Sequence, residues 1–158
     1  GKPAVAQKLR EAAALQERSE PYFKAVQAYA AGKTDEGNSW HNAGYGLTQA
    51  ADKLGKAIEA EAAGKVSVAQ KWREAAALHE RSVDPFLKAA QACVAGKTDE
   101  EKSWDLAGRG FYNAAEKLEK AIEAEEAGKE EEAQKLRREG REEVKRAESI
   151  QQQGCLIS

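Results

Sequence analysis

The tripeptide Ala-Gly-Lys occurs at Ala31-Gly32-Lys33, Ala63-Gly64-Lys65, Ala95-Gly96-Lys97 and Ala127-Gly128-Lys129, a spacing of 32 residues each time. A fixed period of this length confines a chain to stacked copies of one supersecondary unit, because a single copy cannot bury its own apolar face. The period extends beyond the tripeptide. Lys24, Lys56, Lys88 and Lys120 align, as do Ala28, Ala60, Ala92 and Ala124, and Trp40, Trp72 and Trp104 align with Leu136 in the last copy. Alternate copies resemble each other more than neighbours do. VAQKLREAAAL at residues 5–15 matches VAQKWREAAAL at 68–78, and Ser39-Trp40 with Gly44 and Gly46 matches Ser103-Trp104 with Gly108 and Gly110.

Between the Ala-Gly-Lys marks the apolar residues step by three and four, as in Trp40, Ala43, Leu47, Ala50, Leu54 and Ala57. That spacing makes one stripe of an α-helix and fits no strand. Trp72, Ala75, His79, Ser82, Phe86, Ala89 and Cys93 follow the same steps with a more polar middle. Each glycine supplies the left-handed residue that ends a helix, and Thr98 with Glu101, like Ser67 with Gln70, has capping-box spacing for the next start. The expectation is an all-α, antiparallel helical-repeat array of about five long units, joined as αα-hairpins. Pro21 and Pro85 predict a kink or a full break near 19–21 and 82–85, with Asp84 as a new N-cap. Breaks at 44–46 and 108–110 would convert the array to short helix pairs of solenoid type.

Gly96 with Trp104 and Ala107, and Gly128 with Ala133, resemble the second helix of a tetratricopeptide repeat from about Lys24 onward. That resemblance implies short helix pairs of solenoid type. The family's period is about 34 residues, and its first-helix tryptophan and Leu-Gly pair are absent here, so no binding residues carry over.

Leu, Ile, Val and Phe make up 24 of the 158 residues, about 15%, a level associated with disorder when net charge is high. Here the net charge is only −2, and alanines and tryptophans occupy the seam positions, so an ordered array is expected. The array is read as one domain over 1–150, with units bounded at Gly32, Gly64, Gly96 and Gly128. Because Gly1-Lys2 aligns with Gly64-Lys65, the chain reads as the C-terminal part of a longer array, while Arg137, Arg138 and Glu139 give the last unit the polar outer face of a cap.

Residues 151–158 read as a flexible tail, a polar spacer ending in Cys155-Leu156-Ile157-Ser158. These four residues resemble a CaaX prenylation box of the farnesyl type, with Cys155 as the alkylated thiol. One lipid chain anchors weakly and reversibly. A second signal is lacking, since 129–146 carries seven basic and six acidic residues. The resemblance implies peripheral membrane contact from the cytoplasm of a eukaryotic cell, the protein's own or a host.

No catalytic constellation is recognisable, so no enzymatic activity and no cofactor are expected. Gly32-Lys33-Thr34 and Gly96-Lys97-Thr98 mimic the end of a P-loop without its first glycine or preceding strand. His41 and His79 lack metal or triad spacing, and Cys93 and Cys155 form no zinc motif, so no metal is expected. The near-neutral charge argues against nucleic acid. No secretory peptide or membrane-spanning apolar run occurs.

Two functions fit: a non-enzymatic scaffold binding other proteins, tethered by prenylation of Cys155, or a purely structural spacer without lipid. The aromatic residues divide the same way. Tyr22, Tyr45, Phe111 and Tyr112 either cover core beside Gly44, Gly46, Gly108 and Gly110 or line a groove for a partner. The glycines themselves mark either close helix packing or groove walls.

Overall fold

The structure, a computed structural model, describes Ala14 and residues 20–155. It contains five helices: α1 Glu20–Ala30, α2 Thr34–Ala62, α3 Val66–Val94, α4 Thr98–Glu126 and α5 Glu130–Cys155. Among the described residues there is no strand. Each helix packs against the one before it and the one after it, and the hairpins place Trp40 with Ala90 and Ala57 with Trp72, so neighbours run antiparallel. The described chain is an all-helical repeat array, as its period requires.

The hinges form as expected. Gly32, Gly64, Gly96 and Gly128 sit at φ +70 to +75°, and among the described residues they alone have positive φ. At each one the glycine amide donates to a carbonyl three residues back and the following lysine amide to one five residues back, for instance Lys33 N to Ala28 O at 2.9 Å. This is the Schellman pattern, which reverses the chain within three residues. The expected capping boxes do not form. The turn is so short that Thr98 is already helical and Lys97 is the N-cap, without a side-chain cap; Lys65 replaces Ser67 in the same way. Acidic residues in the first turns of α2, α4 and α5 face the helix N-termini instead.

Among the described residues, no full break interrupts the long units. Helices α2, α3 and α4 each run 29 residues without interruption, through 44–46, 82–85 and 108–110. Interior proline costs a helix about 3 kcal/mol. In α3, however, Ser82, Val83, Pro85, Phe86 and Ala89 are all buried, and a break would expose that whole stripe. Asp84 is no N-cap; it pairs with Lys88 at 3.0 Å within α3. Pro21 lies in the first turn of α1, and Ser19 lies outside the described residues.

The glycine pairs admit neighbours rather than bend the helix. A Cβ on Gly44 would lie 2.9 Å from the Tyr22 ring of α1, and one on Gly46 2.8 Å from Ser82 of α3. The copy in α4 repeats this, Gly108 meeting Phe86 of α3 and Gly110 meeting Ala147 of α5. Residues two apart on a helix point to nearly opposite sides, so each pair lets one helix receive both flanking helices closely. At the first three junctions a lysine ammonium lies 4.5 Å from a tryptophan ring centroid: Lys24 on Trp40, Lys56 on Trp72, Lys88 on Trp104. In the fourth copy Lys120 keeps the period while Leu136 stands in place of the ring.

Candidate functional site

The zigzag brings alternate helices side by side, α2 with α4 and α3 with α5, each pair flanking a seam floored by the helix between them. The α2/α4 seam is filled. The Tyr45 and Tyr112 rings meet at 5.9 Å, and His79 of α3 approaches Tyr112 edge-on at 4.9 Å from beneath. Burial and the neighbouring Tyr45 hydroxyl push the Tyr112 hydroxyl well above the usual tyrosine range. Further along, Lys53 Nζ lies 3.0 Å from Glu119 Oε2 and 2.9 Å from Asp52 Oδ2, while Glu119 Oε1 is 2.6 Å from His79 Nε2.

Because a carboxylate only accepts, His79 carries a proton on Nε2; its buried Nδ1 has no hydrogen-bond partner. Burial pushes Lys53 down, but its two carboxylate partners outweigh that and hold it above the ordinary lysine value. Burial likewise raises Glu119, and His79 and Lys53 overcome it, leaving the carboxyl below its ordinary range. Ser82, fully buried, donates to the His79 carbonyl at 2.6 Å.

Of the four residues read as a partner groove, the structure joins three. Tyr22 stands edge-on to His41 at 5.5 Å, His41 stacks on Tyr45 at 6.3 Å, and Tyr45 meets Tyr112. Tyr22 also donates to Thr48, whose own proton goes to the Gly44 carbonyl. This ladder runs across α1, α2 and α4. Phe111 is apart from it, fully buried, with the Arg81 guanidinium 4.3 Å above its ring.

An open trough lies in the other seam. Between α3 and α5, over Ala114 and Leu118 of α4, is a trough of about 830 Å³. Its cause is legible in the repeat. Advancing Tyr45 and Tyr112 by one period of 32 gives Ala77 and Val144, both of which line the trough. The floor changes in the same register: His79, Ser82 and Phe86 become Phe111, Ala114 and Leu118. One seam thus has two rings over a polar floor, and the other has small side chains over an apolar floor. Its rim carries Lys71, Arg81, Arg137 and Arg141 against Glu74. Lys71 and Arg137 share the single carboxylate of Glu125, Arg81 pairs with Glu148 at 2.7 Å, and Arg141 has no ion pair with another described residue.

Sequence reasoning missed both the Lys53–Glu119–His79 cluster and this trough. The signal for the first was present, since His79 and Ser82 interrupt an apolar stripe, and polar residues on such a stripe require polar partners from a neighbour. Cys155 ends α5, and helix continues through 151–155, past the boundary read at 150. Leu156, Ile157 and Ser158 lie outside the described residues.

No protein-family model, no curated protein and no solved structure matches this chain. Among the described residues, no cluster of His, Cys, Asp and Glu could hold a metal ion, and no helix is long and apolar enough to cross a membrane.

Proposed function

We propose that this protein is a non-enzymatic helical-repeat scaffold that binds other proteins, tethered reversibly to the cytosolic face of a eukaryotic membrane by a farnesyl group on Cys155. One observation carries the binding part: the α3/α5 seam leaves an apolar trough beneath a charged rim, where its repeat counterpart holds the protein's own tyrosines. Apolar concavities with a few polar groups at the edge are typical recognition surfaces.

The tether rests on the tail sequence alone. Its test is intact mass after expression in eukaryotic cells: a farnesyl adduct on Cys155, absent from Cys155→Ser, is expected, together with partial sedimentation with membranes. An unmodified Cys155 removes the tether and leaves the scaffold. The binding part is tested by crosslinking in the same cells, with specific crosslinked partners expected. A chain that crosslinks to nothing is a spacer.

A further inference from the structure

We propose that the α3/α5 seam docks an acidic amphipathic helix of a partner protein, which inserts aromatic side chains at the level of Ala77 and Val144. This rests on the scaffold reading and names the seat and the chemistry of what occupies it.

The filled seam shows what complements this architecture. At the register of Ala77 and Val144, the α2/α4 seam holds the two rings of Tyr45 and Tyr112. An incoming segment that brings its own rings supplies what the substitution of alanine and valine has removed. The floor favours this further, since Ala114 and Leu118 stand where Ser82 and Phe86 stand in the other seam and present no polar group at the bottom. A phenylalanine ring needs no hydrogen-bond partner at that depth.

The occupant is helical because the walls offer it no backbone partners. Helices α3, α4 and α5 satisfy their own amides and carbonyls, so an extended peptide laid over the apolar floor would leave its backbone groups unpaired, whereas a helix pairs its own. The trough also follows the helix axis, with lining residues from Val66 to Arg81 of α3, or about 22 Å. That accommodates roughly four turns.

The rim sets the charge. Lys71, Arg137 and Arg141 face two carboxylates, Glu125 and Glu74, and Arg141 has no ion pair with another described residue, so the cations exceed the acid beside them by one. Acidic residues flanking the aromatic stripe meet that excess and make binding salt-dependent.

The probe is a fluorescein-labelled synthetic peptide of about 16 residues, helical and Glu-rich, with phenylalanine at i and i+4; its control carries alanine at those two positions. Titration with the full chain, read by anisotropy, is expected to saturate for the aromatic peptide and to weaken about tenfold or more for the alanine control. The Ala77→Tyr/Val144→Tyr chain, which rebuilds the filled seam, is expected to lose at least as much. Arg141→Glu should weaken binding severalfold and flatten its salt dependence.

Circular dichroism confirms that each variant is folded. Ala77 is exposed, so Ala77→Glu alone carries the test if the double variant fails to fold. Absence of saturable binding, or unchanged affinity in a folded Ala77→Tyr/Val144→Tyr chain, overturns the proposal. Cellular crosslinks that survive this double substitution overturn the seat while leaving the scaffold standing; loss of all crosslinks in the unmodified chain overturns both.

Discussion

The α2/α4 and α3/α5 seams are built by the same repeat, one period apart, and they come out opposite. In the first, Tyr45 and Tyr112 meet over a buried Lys53–Glu119–His79 cluster. In the second, Ala77 and Val144 leave a trough, and the bridging pair, Arg81 with Glu148, lies near the surface. What differs is a handful of side chains on a common backbone. A helical repeat therefore fixes where helices run and leaves each seam free to become either core or surface.

The largest effect should come from the buried cluster. Lys53 is 6% exposed and its ammonium is shared between Glu119 and Asp52. Glu119→Ala leaves that ammonium with Asp52 alone and His79 Nε2 without its acceptor. Losing one partner of a buried pair costs about 3 kcal/mol, which for a chain of this size is a fall in Tm of about 6–12 °C. A fall under about 2 °C by thermal melting would mean that the two seams are energetically alike.

Titration reaches the same cluster. The Glu119 carboxyl is held below its ordinary value of 4.5, so it contributes stability that is fully present above pH 4.5 and is lost as pH falls through the lowered value. Lys53 is held above its ordinary 10.5, so its contribution is fully present below pH 10.5 and is lost as pH rises beyond. Urea midpoints should fall at both extremes, and Glu119→Gln should flatten the acid limb. An unaltered acid limb in that variant would remove the cluster from the account.

Gly108 and Gly140 sharpen the comparison, since they occupy the same register 32 residues apart. A Cβ on Gly108 would fall 2.8 Å from the buried Phe86 ring, while one on Gly140 would meet nothing closer than 3.4 Å. Alanine gains about 1 kcal/mol over glycine in a helix interior, and forced overpacking costs about 1–3 kcal/mol. Gly140→Ala should therefore raise Tm and Gly108→Ala should lower it. Shifts of the same sign would show that the two positions are not packed differently.

The smallest effect belongs to Arg81 and Glu148, each 45% exposed. Exposed pairs contribute about 0–1 kcal/mol. A double-mutant cycle on Arg81→Ala and Glu148→Ala should give a coupling below about 1 kcal/mol that shrinks further in salt. A coupling as large as that of the buried cluster would erase the distinction between the seams.

The helices, their hinges and their antiparallel order were legible in the chain. Glycine at a fixed interval needs no tertiary contact to prefer positive φ, and a three-four apolar stripe commits a segment to helix before it finds a partner. The full break allowed at Pro85 and the choice left open at the glycine pairs turn on one shared fact. Locally a proline or a glycine weakens a helix, and only the burial of Ser82, Val83 and Phe86, or the closeness of Tyr22, Ser82, Phe86 and Ala147 to the glycines, shows why the helix continues.

The aromatic residues were ambiguous for a related reason. Tyr45 and Tyr112 lie 67 positions apart and touch only because α2 and α4 lie side by side. Period, hinge and stripe are properties of single segments, so the sequence by itself determined the array and its direction. Which seam is filled, which is hollow, and which lysine is buried depend on side chains from three helices converging in space, and only the tertiary structure decided them.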